Sequence, residues 1–296
     1  MRESNPGQSN PGQSRRAGFR TRLLGVKDRE TALEFLAPAP HEDLFLVDAV
    51  LNLDRPHPTR DIPPLIYGAF EGDLLRGVAS LRPSIVFSSG MPDEAIEAML
   101  PLVRRIPSGL LKCEGRLVER IWKVLESVGR RALIDRVEIA HRLTPDAMVH
   151  ASPELPGLAR AARPEDLEDL VYAARASLWE EDRPDPADGD PVGFRRWVES
   201  RLSRARIVSE NGEMVFVSYA DVRRAEGWLI QGVYTWPAAR RRGYARRGMD
   251  SVIREAFASG ASHVQLAVIK GNERALALYR HLGFEPFAEL RTILFH

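Results

Sequence analysis

The sequence predicts an α/β protein with two folded domains, and three observations support this. The chain has 296 residues, which suits two domains of roughly 130–150 residues each. Apolar runs typical of strands alternate with segments of helical periodicity. The stretch from Thr144 to Gly157 lacks periodicity and contains three prolines. We therefore expect a linker there, at residues 147–157.

The predicted boundaries follow composition. Residues 1–18 repeat the pentapeptide Ser-Asn-Pro-Gly-Gln in tandem, at Ser4–Gln8 and Ser9–Gln13. Such a polar segment, rich in proline and glycine, has little to bury, so we expect a disordered tail. The first domain is then residues 19–146 and the second is residues 158–296.

The composition of the chain argues against several classes of function. Hydrophobic residues make up 44% and charged residues 28% of the chain, as in ordinary globular proteins. A net charge of +1 gives no general case for binding nucleic acid or membrane. The single cysteine, Cys113, excludes an intramolecular disulfide and suits a reducing compartment. We expect a cytoplasmic protein with no membrane, nucleic-acid or metal partner.

The first domain begins its recognisable pattern with a hairpin. Leu65 to Phe70 and Leu74 to Leu81 are apolar runs joined by a turn that contains Gly72. Ser84 to Ser88 is a candidate third strand. Further elements expected from periodicity are a strand at Gly109–Cys113, a strand at Arg136–Leu143, a helix marked by Ile96, Met99, Leu100 and Val103, and a helix marked by Val118, Ile121, Trp122 and Leu125.

The second domain shows a similar alternation. Its expected helices are Glu165–Trp179, Phe194–Leu202 and a segment marked by Met249, Val252, Ile253, Ala256 and Phe257. Its expected strands are Ala205–Ser209, Glu213–Asp221, Trp228–Thr235 and Val264–Ile269.

The turn between the strand at Trp228–Thr235 and the next helix is the most informative segment. It contains an Arg-x-x-Gly-x-Ala core at Arg240–Ala245. Such a turn directs several backbone N–H groups to one point, at the positive end of the helix dipole. Gly243 and Ala245 leave room for an anion to approach. Because five arginines lie within eight residues, the turn predicts a phosphate-rich ligand.

This turn resembles the pyrophosphate loop of the GNAT acetyltransferase superfamily, Arg/Gln-x-x-Gly-x-Gly/Ala. Residues Asn272–Phe284 resemble the superfamily's closing motif, Asn-x-x-Ala-x-x-Leu-Tyr-x-x-x-Gly-Phe, and Leu158–Leu167 resembles its opening strand and helix start. The resemblance covers the second domain. It implies a mixed central sheet flanked by helices.

The first domain has the same order of elements, which suggests two tandem acetyltransferase-like domains. However, Ser89–Glu94 places acids where the cofactor loop would need free amides. The first domain is therefore interpreted as a degenerate copy without a cofactor loop. An unrelated α/β domain is the alternative.

The resemblance implies acetyl-CoA as co-substrate and a small-molecule or peptide amine as acceptor, in a monomer or homodimer. Tyr279 would protonate the departing thiolate, although packing in the core is an alternative role for it. Asn272 could cap its helix as well as contact the cofactor. The implied cofactor-binding residues are Val233, Tyr234, Thr235, Arg240, Arg241, Arg242, Gly243, Tyr244, Ala245, Arg246 and Asn272.

The general base is where the sequence departs from the superfamily. Many members carry a glutamate on the strand before the cofactor loop, whereas this chain has Gln231 and no carboxylate there. Glu226 is too far back along the chain. The other candidates are a water chain, Glu180, Glu181, Asp182 and His263.

Two other function classes remain open. A regulatory protein that senses acetyl-CoA without transferring it would share the loop, and the missing strand carboxylate favours that alternative weakly. A nucleic-acid or ribosome-associated factor would use the arginine cluster instead, but no matching basic stripe occurs elsewhere.

Overall fold

The computed structural model describes residues 18–55, 64–149 and 159–296. Residues 1–17 of the expected tail at 1–18 and residues 150–157 of the expected linker at 147–157 lie outside these residues. The first half contains six strands and four helices among its described residues. They are β1 (Phe19–Leu23), α1 (Arg29–Leu36), α2 (Leu44–Leu51), β2 (Leu65–Glu71), β3 (Leu74–Arg82), β4 (Ser84–Phe87), α3 (Asp93–Val103), β5 (Gly109–Glu114), α4 (Gly115–Glu126) and β6 (Ala132–Leu143).

The second half has the same kinds of element in the same order. They are β7 (Arg160–Ala161), α5 (Leu167–Glu180), α6 (Pro191–Ser200), β8 (Ala205–Glu210), β9 (Glu213–Arg224), β10 (Gly227–Thr235), α7 (Tyr244–Ala258), β11 (Val264–Ile269), α8 (Glu273–His281) and β12 (Glu285–Phe295).

All twelve strands form one sheet whose order reads alike from both ends. The order is β1-β2-β3-β4-β5-β12-β6-β11-β10-β9-β8-β7. The two halves have therefore exchanged their last strands. Strand β6 of the first half pairs antiparallel with β11, and β12 of the second half pairs antiparallel with β5. The exchanged strands also pair with each other, which closes the sheet at its centre.

Packing follows this exchange. Ile293 and Phe295 on β12 are buried in the core of the first half, together with residues of α3 and α4. Leu143 on β6 is buried in the core of the second half, with residues of α7 and β11. Each half thus needs a strand from the other to complete its core.

A repeated ion pair marks the two halves as copies of one plan. Arg22 binds Asp28 through two hydrogen bonds of 2.7 and 2.8 Å. Arg160 binds Asp166 through two bonds of the same lengths. Each aspartate also accepts a backbone N–H three residues earlier, and each ends a short 3-10 turn before the first helix of its half.

The predicted fold class is confirmed, since the chain is a mixed α/β protein of two similar halves. The strand predicted at Val264–Ile269 has the same bounds in the structure. Strands β1 and β12 and helices α1 and α2 are not apparent from the periodicity of the sequence, and neither is the exchange.

Candidate functional site

Strand β10 leaves its neighbours at the end that leads into the loop. Within residues 227–269, which the structure describes in full, it pairs with β11 only at Trp228 and Leu229. On its other edge the register with β9 shifts between Gln231 and Tyr234, which leaves a bulge at Gly232 and Val233. Gly232 has a φ of +56°, which favours glycine. The result is a cleft between β10 and β11 that exposes the backbone of β10.

The loop after β10 is a cradle of free amides. Arg241 and Gly243 have φ values of +60° and +87°, and Gly243 immediately precedes α7. Across residues 18–55, 64–149 and 159–296, the backbone N–H groups of residues 241 to 246 have no acceptor of good geometry. No side chain caps α7, and its first turn carries no acid. Such a helix start attracts anions.

The arginines of this loop divide into two kinds. Arg240 is structural, because its Nε donates to the carbonyl of Thr235 (2.9 Å) and its terminal nitrogen donates to both oxygens of Glu180 (2.7 and 2.8 Å). The guanidinium groups of Arg242 and Arg247 lie 5.2 and 5.1 Å from the ring centre of Tyr244. These two add positive charge beside the free amides.

Helix α8 supplies the other predicted site residues. Asn272 caps this helix, with its Oδ1 accepting from the Ala275 N–H at 3.2 Å. Tyr279 is buried, and its ring meets that of Phe284 edge-on at 5.6 Å. Burial raises the pKa of the Tyr279 phenol, so the hydroxyl stays protonated at neutral pH.

Two candidates for the general base, His263 and Glu226, lie at the ends of β10 and β11 that are far from the cofactor loop. His263 precedes β11 and accepts the N–H of Trp228, at the start of β10, on its carbonyl. Its ring is buried against Ser262 and Gln265, and burial lowers its pKa. The loop follows the opposite ends of these strands, so His263 lies away from the cofactor loop. Glu226 directly precedes β10 and lies at the same end of the strands, as expected.

The carboxylates at the end of α5 are engaged in ion pairs. Glu180 holds Arg240, and the hydroxyl of Tyr234 lies 3.5 Å from one of its oxygens. Glu181 accepts from Arg136 at 3.0 Å. Gln231 is exposed on β10, at the edge of the bulge. Asp182 is exposed as well, in a positive-φ turn.

Comparison with known families identifies the second half. Residues 168–284 match the model of the acetyltransferase (GNAT) family. No curated protein sequence gives a significant match. Among the described residues, no helix is both long and apolar enough to cross a bilayer.

Solved structures share the fold across both halves. A Drosophila melanogaster protein matches at 16% identity and a TM-score of 0.68, over 93% of this chain and 98% of that one. A GCN5-related N-acetyltransferase from Sphaerobacter thermophilus matches at 16% identity and a TM-score of 0.58, over 93% and 94% of the two chains. A tandem GNAT protein from the clavulanic acid biosynthesis pathway matches at 14% and 0.54, over 93% and 98%. Residues 168–284, most of the second half, therefore resemble the acetyltransferase (GNAT) family, and both halves share the fold of these solved structures.

Proposed function

We propose that the protein transfers an acetyl group from acetyl-CoA to an amine, by direct attack within a ternary complex. The observation that carries the proposal is the run of free amides at residues 241 to 246, directly after the cleft between β10 and β11. A pyrophosphate would accept these N–H groups at the positive end of α7. Arg240 would hold the loop in shape, since its guanidinium is already bound to Thr235 and Glu180.

The exposed edge of β10 would hold the rest of the co-substrate. Val233 lies in the bulge without a partner on β9, so its backbone groups are available to a pantetheine chain and a thioester carbonyl; Tyr234, which pairs with Val217, follows it. An amide that donates to this carbonyl oxygen would stabilise the charge that develops there during attack. Holding acyl donor and amine in one cleft also removes much of the entropy cost of a bimolecular step.

Tyr279 would protonate the departing thiolate. Its buried phenol keeps its proton at neutral pH, because burial raises its pKa. The amine must lose a proton before or during attack. Since β10 presents Gln231 instead of a carboxylate, we propose that water in the open cleft removes it.

The proposed setting is the cytoplasm, with the small-molecule or peptide amine as the acceptor. The only cysteine, Cys113, is buried, and burial raises the pKa of its thiol to about 12, so it takes no part in the chemistry. The absence of a carboxylate at Gln231 favours a second candidate, a non-catalytic sensor of acetyl-CoA.

Two measurements on the full chain test the proposal. Calorimetry with acetyl-CoA should show one site per chain. A panel of amines with acetyl-CoA, followed by thiol release, should identify at least one acceptor. Binding without transfer to any amine would favour the sensor, and failure to bind would reject both functions.

A further inference from the structure

Five charged side chains form a cluster at the centre of the sheet, and the proposed chemistry does not use them. They come from β5, from the exchanged strand β6 and from the end of α5. The members of this central charge cluster are Lys112, Arg136, Glu138, Glu181 and Arg183.

One part of the cluster is a buried carboxylate held by two cations. Glu138 is only 5% exposed. Arg136 Nε donates to it at 2.9 Å, and Lys112 Nζ donates to its other oxygen. These two cations lower the pKa of Glu138 to about 2, against the effect of burial. Glu138 is therefore a fixed anion, unsuited to act as a base.

The other part of the cluster has more positive charge than its partner can neutralise. Arg136 also donates to Glu181 at 3.0 Å, and Arg183 Nε lies 3.4 Å from the same oxygen. Burial and the charge of Arg136 lower the pKa of Arg183. Arg136 Nη1 and Arg183 Nε are buried without a hydrogen-bond partner among the described residues. Three cations thus face two carboxylates, with two donors unused.

The position of the cluster ties it to the cleft. Glu180 and Glu181 are consecutive, and the first binds Arg240 of the cofactor loop while the second binds Arg136. Strands β6 and β11 are neighbours, and Glu138 on β6 lies opposite Ile269, the last residue of β11. The end of α5 therefore spans the cleft from the cofactor loop to the cluster, which places the cluster beside the wall formed by β11.

We infer that the central charge cluster binds a carboxylate carried by the amine acceptor; this inference rests on the proposed function. A partly buried net charge with unused donors is less favourable than one that a counter-charge completes. Planar guanidinium groups match the two oxygens of a carboxylate. Because the excess is one positive charge, a carboxylate monoanion fits better than a phosphate dianion. The first half of the chain would then take part in selecting the acceptor through β6.

The first experiment compares matched acceptors with the wild-type protein. L-amino acids, their C-terminal amides, ethanolamine and O-phosphoethanolamine are each supplied with acetyl-CoA, and thiol release gives kcat/KM. We expect each amino acid to exceed its amide by at least about tenfold. Equal rates for amino acid and amide would overturn the inference while leaving the proposed transfer intact. A preference for O-phosphoethanolamine over the amino acids would assign the cluster to phosphate and overturn it also.

The second experiment uses variants and does not need turnover. N-acetyl-L-amino acids and their amides are added with CoA, and the melting temperature is measured for wild type, Arg183→Gln, Arg136→Lys and the control Arg195→Gln. Arg195 forms an exposed ion pair with Glu168 on the surface of the second half. We expect carboxylate probes to stabilise wild type and the control more than amides do, and Arg183→Gln to lose that difference. Acetyl-CoA affinity, measured separately, should be the same in all four proteins.

The outcomes separate the two proposals. If carboxylate and amide probes shift the wild-type melting temperature equally, the cluster is only an ion-pair contact between the halves. If Arg183→Gln lowers stability but keeps the carboxylate preference, the same conclusion holds. If acetyl-CoA fails to bind wild type, the proposed function fails, while the carboxylate result still decides the cluster.

Discussion

The loops after β4 and β10 occupy corresponding places in the two halves, yet they differ in how their amides are used. After β10, the N–H groups of residues 241 to 246 are free, as the hydrogen bonds of the described residues show. After β4, the N–H and hydroxyl of Ser89 both donate to the buried carboxylate of Asp43, at 2.8 and 2.7 Å. Pro92 precedes α3, and the first turn of that helix contains two acids. The loop after β4 thus binds the carboxylate of Asp43, and the acids at the start of α3 repel any further anion.

The strands beside these loops differ in a related way. In the first half, Cys113 on β5 reaches the edge of β4, where its Sγ accepts the Phe87 N–H at 3.3 Å. In the second half, β10 and β11 make no ladder pairing beyond Leu229 within the fully described residues 227–269. The ladder between β4 and β5 is equally short, with pairs only at Ser84–Leu110 and Ile85–Leu111, so the difference between the halves is the cysteine that bonds to the unpaired end of β4. In this fold, a few side chains thus decide whether the amides of the loop are free or bonded within the protein.

A substitution in the exchanged strand β12 should have the largest effect, on the free energy of unfolding. Phe295 belongs to the second half but is buried in the core of the first, edge-on to Trp122 at 6.0 Å. Phe295→Ala should cost about 3–5 kcal/mol of unfolding free energy, because it leaves a cavity. Hydrogen exchange should rise first in α3 and α4. Faster exchange confined to α7 and α8 would contradict the exchanged topology.

The exchange also explains what the sequence could and could not predict. Periodicity identifies β11 and the buried face of α7, because these patterns depend on local geometry. It does not identify the partner of a strand, so it does not predict that β6 pairs with β11. Strand β1 was missed because it is only five residues long and partly exposed, so it carries no apolar run. A signal for it existed in the shared spacing of Arg22–Asp28 and Arg160–Asp166.

The site was predictable to a similar degree. The motif pointed to the loop at residues 240–246, whose amides depend only on the local chain. The central charge cluster was missed, because Arg136 and Arg183 meet only when a strand of the first half enters the second. The pairing of Glu180 with Arg240 was not predicted either, because the two residues lie 60 positions apart and meet only in the folded chain.

The difference between the loops can be tested with matched glycines. Gly243 and Gly90 both have positive φ, at +87° and +65°, and a Cβ at either would meet nothing within 4 Å. Gly243→Asp should weaken acetyl-CoA binding at least about 100-fold, since it adds a negative charge beside the proposed pyrophosphate site. Gly243→Asn carries the same backbone strain without the charge and should lose less than about tenfold.

Gly90→Asp is the corresponding change in the first half and should leave the affinity unchanged. Calorimetry on the full chain measures all three variants. Equal losses for Asp and Asn at position 243 would show that strain, and not charge, is responsible. A loss at position 90 would show that the first half also binds acetyl-CoA.

The helices before the exchanged strands offer the next comparison. Tyr279 on α8 packs edge-on against Phe284, and Trp122 on α4 packs edge-on against Phe295. Tyr279→Phe keeps the ring and removes the proposed proton donor. It should lower kcat by about 100-fold, the lower end for general acid catalysis because a thiolate leaves readily, with little change in acetyl-CoA affinity.

Trp122→Phe should lower stability and leave kcat unchanged. Kinetics with any identified acceptor, together with urea unfolding of both variants, provides the measurement. An unchanged kcat with reduced stability for Tyr279→Phe would assign Tyr279 to the core and strengthen the sensor hypothesis.

The repeated ion pairs should give the smallest and most nearly equal effects. Arg22 lowers the pKa of Asp28 to about 2, and Arg160 lowers the pKa of Asp166. A carboxylate with a lowered pKa stabilises the folded state above its ordinary pKa of 3.8, and this stabilisation is lost as pH falls towards 2. Asp28→Asn and Asp166→Asn should each cost about 1–3 kcal/mol at pH 7 and little at pH 2. Urea unfolding between pH 7 and pH 2 measures this. A cost in only one half would show that the repeated pair stabilises the two halves differently, and a cost that persists at pH 2 would show that the charge of the carboxylate is not responsible.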